Sequence, residues 1–449
     1  MMSLQTLAVA ATVLLTGISP AGAGTAHGAI AVVIAGPDTA ITTKFAVNGV
    51  AVILRRNTAT EVVTANLYLL GGTRQLTPAT AGIEALLLAT SERGTRLFPG
   101  AAVRQRTARL GSTITIDPSD DWTAIGLHAI RATFDSTWAI FADRVMAPTI
   151  DPGEFALVKD QFLSMARERS TQPDNAATEL ADSLLYVNHP NAISTTGTPE
   201  SLSALTAAQL RQYHAQQFVT SRMLLVVVGN VDRVQVERLV RSTIATMPKG
   251  AYTWTPPPPV TTTGRALAID NRALPTNYLL GYAPGPAATD PDYTALRVAT
   301  AVLSGRLFTE VRSRRNLSYA VESPFLERGN AISGLYVTTV DPNQVLRLMR
   351  RELTTLQTET VDPVGLKRLE QQFITEYYLK NETNADQANF LARAALYQGD
   401  YAAADRFMDA LRRVTPDDVR RVAQRYLKDF RFAYVGDASK LDRSLLDQF

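Results

Sequence analysis

Short apolar runs of strand length are separated along this chain by longer segments with helical spacing. Two runs near the N-terminus, residues 43–54 and 62–70, predict β-strands. The first is interrupted by Asn48-Gly49, a dipeptide that suits the positive φ angles of a two-residue hairpin. Residues 80–93 then place apolar side chains three and four positions apart, which predicts a helix with Gly94 as its C′ residue.

A helix-to-strand unit occurs twice, about two hundred residues apart. Each copy begins with a threonine N-cap, Thr206 or Thr415, and runs into an apolar strand, residues 223–228 or 430–435, that ends at a glycine. Such a repeat is typical of a duplicated domain. The predicted fold class is therefore α+β, with two homologous domains that each hold a sheet with helices on one face.

Three further features divide the chain. Residues 1–23 contain an apolar run followed by Ala21-Gly22-Ala23, which predicts a secretory signal peptide, although an apolar strand or helix remains the alternative. The proline-rich segment 251–264 predicts a stiff linker between domains at 30–250 and 265–449. We expect a protein exported to the bacterial periplasm, with no membrane span once the signal is removed.

Composition restricts the chemistry that the chain can perform. The 449 residues are 46% hydrophobic and 19% charged, with four histidines, no cysteine and a net charge of +3. The absence of cysteine excludes disulfides, thiolate zinc sites and thiol nucleophiles. The nearly balanced charge gives no reason to expect a nucleic acid partner. The four histidines are widely separated, and each is expected to be structural rather than a metal ligand.

Several motifs occur in a distinctive order. After the Asn-Gly hairpin come Gly94-Thr95, a Gly-Thr-Pro-Glu run at 197–200, the strand at 224–229, and Ser-Gly-Arg-Leu-Phe at 304–308 leading to Leu-Ser-Tyr at 317–319. From about residue 40 to 440 the chain resembles the pitrilysin/insulinase-type zinc metallopeptidases. The resemblance implies that the two domains form half of a clamshell that closes around an unfolded peptide.

The zinc motif of that family is lost from this chain. Catalytic members carry H-x-x-E-H shortly before the Gly-Thr pair, with two histidines as ligands and the glutamate as the base. The corresponding residues are Ala85, Leu88 and Ala89, and the expected third ligand falls at 164–166, where no carboxylate occurs. Glu154 and Glu168 flank that position, but surface roles are expected for both. The resemblance therefore implies no metal or cofactor in this chain, with zinc in a partner subunit.

A second family motif is retained. Non-catalytic subunits of heterodimeric members hold substrate with an arginine and a tyrosine seven positions apart, which match Arg312 and Tyr319. Asn316 stands where the family usually has glycine, and it tolerates the left-handed geometry that ends a helix. We expect Tyr319 to lie in a strand over 318–323. The alternative is a surface ion pair between Arg312 and Glu310 or Glu322.

These features favour a non-catalytic, substrate-binding subunit of an exported heterodimeric zinc metallopeptidase. Its partners would be a homologous subunit that carries H-x-x-E-H and an unfolded peptide substrate. One alternative is a binding or scaffold protein that uses the same fold without proteolysis. Another is an autonomous metallopeptidase with unusual ligands, which the few histidines make less favoured.

Overall fold

Each half of the chain contributes one β-sheet in the computed structural model, which describes residues 41–449. The strands are β1 (Ile41–Val47), β2 (Val50–Arg56), β3 (Val62–Leu70), β4 (Thr113–Pro118), β5 (Trp122–Ile130), β6 (Met223–Gly229), β7 (Ala266–Asn271), β8 (Asn277–Ala287), β9 (Val321–Glu322), β10 (Phe325–Leu326), β11 (Asn330–Thr339) and β12 (Arg431–Gly436).

Helices precede, connect and follow these strands. They are α1 (Ile83–Ser91), α2 (Ala102–Arg109), α3 (Phe134–Met146), α4 (Pro152–Thr171), α5 (Pro173–Leu185), α6 (Pro199–Ala204), α7 (Ala207–Gln217), α8 (Arg233–Ser242), α9 (Asp292–Leu307), α10 (Pro342–Thr358), α11 (Pro363–Lys380), α12 (Asn384–Tyr397), α13 (Phe407–Arg412) and α14 (Pro416–Tyr426). In the described part of the chain, no helix combines the length and apolar character needed to cross a membrane.

The two sheets share one pairing scheme. In the first, the order is β1-β2-β6-β3-β5-β4, and β6 runs parallel to β2 and antiparallel to β3. In the second, the order is β10-β11-β8-β12-β7, and β12 runs parallel to β7 and antiparallel to β8. The repeated units α7–β6 and α14–β12 thus occupy equivalent places, and both helices begin with a threonine capping box. The predicted α+β fold with two similar units is confirmed.

Local turn chemistry explains where the first strands end. Asn48 and Gly49 have φ angles of 46° and 95°, and Val47 pairs with Val50 across them. This is the predicted tight hairpin, since both central residues lie in the left-handed region. The helix predicted over 80–93 is shorter than expected, because α1 begins after Gly82, whose φ is 84°. It also ends at Ser91, so Gly94 is not its C′ residue.

An exchange of helices covers the second face of each sheet. Each sheet has helices of its own half on one face, as expected. In the first sheet, Ile53, Leu224 and Val226 pack against Leu391 and Ala392 of α12, which comes from the second half. Their sequence neighbours point to the opposite face and the main N-terminal core. Burial on both faces explains why β6 is apolar at nearly every position.

The opposite exchange takes place on the second sheet. Ala177, Ala181 and Leu185 of α5, from the first half, pack against Leu280 and Val435. The helices α9, α10 and α14 cover its other face. Neither sheet is therefore enclosed by its own half alone.

The proline-rich segment is attached to both halves. All strands of the first sheet precede residues 251–264 and all strands of the second follow them. Trp254 donates a hydrogen bond from Nε1 to the Leu396 carbonyl at 3.0 Å, and its ring lies 6.3 Å from that of Trp122. The predicted domain boundaries remain a prediction, because the exchanged helices make the packing units differ from the sequence units. The predicted signal peptide lies outside the described residues.

Candidate functional site

Helix α1 contributes apolar side chains at the positions of the family's zinc motif. Ala85 and Leu88 are buried and Ala89 is partly buried, and Leu88 and Ala89 pack in the N-terminal core. Alanine and leucine have no donor atom for a metal, so this donor set does not fit zinc. Within residues 41–449, no group of three or more His, Asp or Glu side chains is arranged to hold a metal ion.

The neighbouring helix α4 supplies no ligand either. Ser164 is exposed on it, and Ala166 is buried in the same core as α1. Glu154 lies 3.9 Å from Arg93, a weak ion pair, and Glu168 is exposed. The two helices thus meet through apolar contacts where catalytic relatives would hold their third ligand.

A buried ionic network anchors the start of α1. The Glu84 carboxylate accepts hydrogen bonds from Arg222 Nη2 at 3.0 Å and from Tyr213 Oη at 2.9 Å. Arg222 is 1% exposed and also donates from Nε to the Leu70 carbonyl at 2.7 Å. Burial and the adjacent carboxylate raise the pKa of Tyr213, so its hydroxyl stays a donor. Sequence reasoning missed this network, because its members are far apart along the chain.

A second buried arginine binds the end of α1. Arg144 donates from Nη2 to the Leu88 carbonyl at 3.2 Å and from Nε to Ser91 Oγ at 3.1 Å. Burial lowers the pKa of Arg144 to about 10, which leaves it charged at neutral pH. A cation here also complements the negative end of the helix dipole. Buried arginines therefore hold both ends of α1, the helix whose zinc-motif positions carry no metal ligand.

The retained motif lies where α9 changes its helical geometry. Residues Phe308–Ser313 form one turn of π-helix directly after α9. Asn316 then has a φ of 52°, as predicted, and ends the helical segment. The strand expected over 318–323 is reduced to Val321–Glu322, so Tyr319 lies in a loop. Single π-helical turns interrupt the regular direction of side chains along a helix and are frequent at functional sites.

The Arg312 guanidinium contacts two aromatic rings. Its Cζ atom is 4.5 Å from the ring centroid of Tyr319 and 5.0 Å from that of Phe308. Tyr319 is 81% exposed and Phe308 is 44% exposed. Leu303, Leu307 and Val311 on the same helical segment are buried, so Phe308 differs from its apolar neighbours. Cation–π contact restrains the guanidinium while its N–H groups, which lie in its plane, remain free.

The ion pair considered as an alternative for Arg312 is not formed. Glu310 instead receives hydrogen bonds from Arg314, Arg315 and Arg351, the last at 2.9 Å. The hydrogen bond from Arg315, together with the charges of the other arginines, lowers the pKa of Glu310. Arg312 makes no ion pair or side-chain hydrogen bond with any residue from 41 to 449. Its donors are therefore available to an external acceptor.

The three described histidines have separate neighbours. His214 Nε2 lies 2.8 Å from the Val145 carbonyl, and His189 Nε2 lies 3.1 Å from the Pro258 carbonyl. His128 Nδ1 lies 3.2 Å from Thr64 Oγ1. Burial lowers the pKa of His128 and of His214 and favours their neutral forms. Each ring is thus engaged in local packing, and His27 lies outside the described residues.

Comparison with known proteins agrees with this geometry. Residues 204–386 match the model of the peptidase M16 inactive domain. Over this segment the chain is similar to the M16 peptidase family. The resemblance to the pitrilysin-type peptidases that the motif order suggested is thereby confirmed, as the inactive type.

The similarity to known proteins extends over most of this chain. The chain is 22% identical to the uncharacterized zinc protease YmxG of Bacillus subtilis, over 88% of this chain and 98% of that protein. It is 23% identical to the mitochondrial-processing peptidase subunit beta of Blastocladiella emersonii, over 86% of each. A crystal structure of a peptidase M16 inactive domain from Pseudomonas fluorescens superimposes with a TM-score of 0.82 at 20% identity, covering 88% of this chain and 98% of that one.

Proposed function

We propose that this chain is the non-catalytic, substrate-binding subunit of an exported heterodimeric zinc metallopeptidase. Its partner would be a homologous subunit that carries H-x-x-E-H and the zinc ion, and the two would close around an unfolded peptide. One observation carries the proposal. The Arg312 guanidinium contacts two exposed rings and has no ion pair or side-chain hydrogen bond within residues 41–449, whereas the positions of the zinc motif hold only apolar side chains.

The chemistry of Arg312 and Tyr319 suits a peptide backbone. Guanidinium and phenol groups both donate hydrogen bonds, and a peptide carbonyl offers two lone pairs. The N–H groups of the guanidinium, which have no partner within residues 41–449, would donate to an incoming carbonyl. The same donors would stabilise negative charge that develops on that oxygen during hydrolysis. Zinc in the partner would supply the activated water, and the role of this chain would be to orient the scissile bond.

The relatives give independent support for a partner. One of them is named as the beta subunit of a processing peptidase, so a chain of this fold acts within an assembly there. Two M16 chains of this size would supply the two halves of the clamshell. Export to the periplasm rests on the N-terminal sequence alone, and N-terminal sequencing of the protein recovered from a periplasmic fraction would test it. A mature start near Gly24 is the expected result.

The decisive experiment reconstitutes the pair. The full-length chain is co-expressed with an H-x-x-E-H homologue from the same genome, and the purified complex is assayed for zinc and for cleavage of an unfolded peptide. We expect hydrolysis and stoichiometric zinc only when both chains are present. If this chain alone bound one zinc ion and cleaved the peptide, it would be an autonomous peptidase and the proposal would fail.

Variants of the reconstituted pair separate substrate binding from scaffolding. Arg312→Lys and Tyr319→Phe should each reduce kcat/KM at least about ten-fold, because one positioned donor is lost in each. Arg314→Lys is the matched control, since Arg314 is in the same segment but points to Glu310. Full activity in the Arg312 and Tyr319 variants, with the complex intact, would instead favour the scaffold alternative.

A further inference from the structure

A cavity separate from Arg312 lies inside the second half of the molecule. Its volume is about 250 Å³, and α9, α12 and α13 line it together with Glu327. Helix α12 has one face on the first sheet and turns Phe390, Arg393 and Tyr397 towards the cavity. The lining contains no residue between 307 and 326, so the cavity does not belong to the site already described.

One wall of the cavity is aromatic. The rings of Phe390 and Phe407 meet edge to face with centroids 5.7 Å apart. Arg297 lies over Phe407 at 4.9 Å and over Phe373 at 5.5 Å, so its guanidinium forms part of the same surface. Tyr293 extends this wall, and burial raises its pKa, which keeps its phenol neutral. This surface suits the ring of a ligand.

The charged groups around the cavity are predominantly positive. Four arginines line it, Arg297, Arg393, Arg406 and Arg413, against the two carboxylates of Glu327 and Asp409.

Most of these charges are already paired. Glu327 pairs with Arg297 and with Arg393, the latter at 3.1 Å, and Arg406 pairs with Asp400 at 2.7 Å. Asp409 pairs with Arg412, which lies outside the lining. Arg413 has no ion pair or side-chain hydrogen bond with any residue in the described range 41–449. The cavity therefore combines an aromatic wall with a cation that lacks a counter-ion.

We propose that this cavity binds a small carboxylate that carries one aromatic ring. The ring would lie against Phe390 and Phe407, and Arg413 would receive the carboxylate. Arginine suits this role because its fork of N–H groups matches the two carboxylate oxygens. The volume exceeds the roughly 150 Å³ cavity that holds a benzene molecule, and so leaves room for a ring and a short acid chain. The proposal does not depend on the peptidase hypothesis.

Matched probes test both parts of this recognition. The full-length chain is titrated at constant ionic strength by calorimetry with 3-phenylpropionate, 3-phenylpropionamide and inorganic phosphate. The amide keeps the ring without the charge, and phosphate keeps the charge without the ring. We expect one 3-phenylpropionate per chain, with each of the other two at least about ten-fold weaker. Absence of saturable 3-phenylpropionate binding, or equally tight binding of either control, would overturn the proposal.

Variants locate the binding site. Arg413→Gln removes an exposed cation without breaking an ion pair, and Ala410→Leu fills part of the cavity. Both should weaken 3-phenylpropionate at least about ten-fold, whereas Arg420→Gln, on the neighbouring helix α14 and outside the lining, should not. Unchanged affinity in the Arg413 variant refutes the assignment even if the Ala410 variant fails to fold. An aromatic ring with a carboxylate occurs both in a free aromatic acid and at the C-terminus of a peptide. Titration with the peptide Gly-Gly-Phe distinguishes these two kinds of ligand.

Discussion

We expect Asp182 on the exchanged helix α5 to make the stability of this protein depend on pH. Its Oδ1 atom is buried and has no hydrogen-bond partner within residues 41–449. Burial raises the pKa of Asp182 from 3.8 to about 6; Arg328 opposes the shift, and the carboxylates of Asp120 and Glu179 add to it. The folded chain therefore favours the protonated acid at pH values where the unfolded chain has already lost the proton.

The size and sign of the effect follow from linkage. A shift of about two pKa units corresponds to roughly 3 kcal/mol of free energy of unfolding. Because the pKa of Asp182 is raised in the folded chain, its contribution to the free energy of unfolding is fully present below pH 4. The contribution falls as the pH rises from about 4 to 6, and it is absent above pH 6. Replacement of Asp182 by a neutral isostere should remove the cost of ionisation at high pH only.

Urea unfolding followed by tryptophan fluorescence measures the difference. We expect Asp182→Asn to be more stable than the wild type by up to about 3 kcal/mol at pH 8, and by less than about 1 kcal/mol at pH 4. Asp160→Asn, which changes an exposed carboxylate on α4, is the control and should stay within about 0.5 kcal/mol at both pH values. An equal difference at both pH values, or a less stable Asp182 variant at pH 8, would refute the reasoning.

Three further substitutions test the packing. Arg222→Met leaves the Glu84 carboxylate buried without its cation and should lower the free energy of unfolding by about 3–5 kcal/mol; a loss below about 1 kcal/mol would mean that the network does not hold α1. Leu391→Ala should cost about 2–5 kcal/mol in urea unfolding, since α12 loses contact with the first sheet, and the exposed Leu379→Ala serves as its control. Asn316→Val should cost about 1–2 kcal/mol at a φ of 52°, whereas Asn316→Gly should be nearly neutral by the same measurement.

The sequence predicted those elements that depend only on neighbouring residues. The Asn48-Gly49 hairpin follows from turn geometry, and the strand predicted over 62–70 has those bounds in the structure. The two helix-to-strand repeats were visible because a cap and an apolar strand recur together. The exchange of α5 and α12 left no such signal, since an apolar helix face does not encode which sheet will cover it.

The candidate site also combines features that the sequence predicted with features that it did not. The loss of metal ligands from α1 was readable from the residue types, because alanine and leucine have no donor atoms. The spacing of Arg312 and Tyr319 was readable too, and their role in binding substrate stays a prediction. The π-helical turn, the contact with Phe308 and the capture of Glu310 by three other arginines depend on tertiary packing. No window of sequence contains the information that decides them.

The exchanged helices have a consequence for the origin of the fold. A single half, made alone, would expose one face of its sheet. It would also carry a helix whose apolar side packs on the corresponding face of a second half. Two identical copies could satisfy each other, in the manner of a domain-swapped homodimer. Joining them through the proline-rich segment would replace a bimolecular association by an intramolecular one at high effective concentration. The 449-residue chain then corresponds to a fused dimer, in which each copy could lose or keep functional side chains independently.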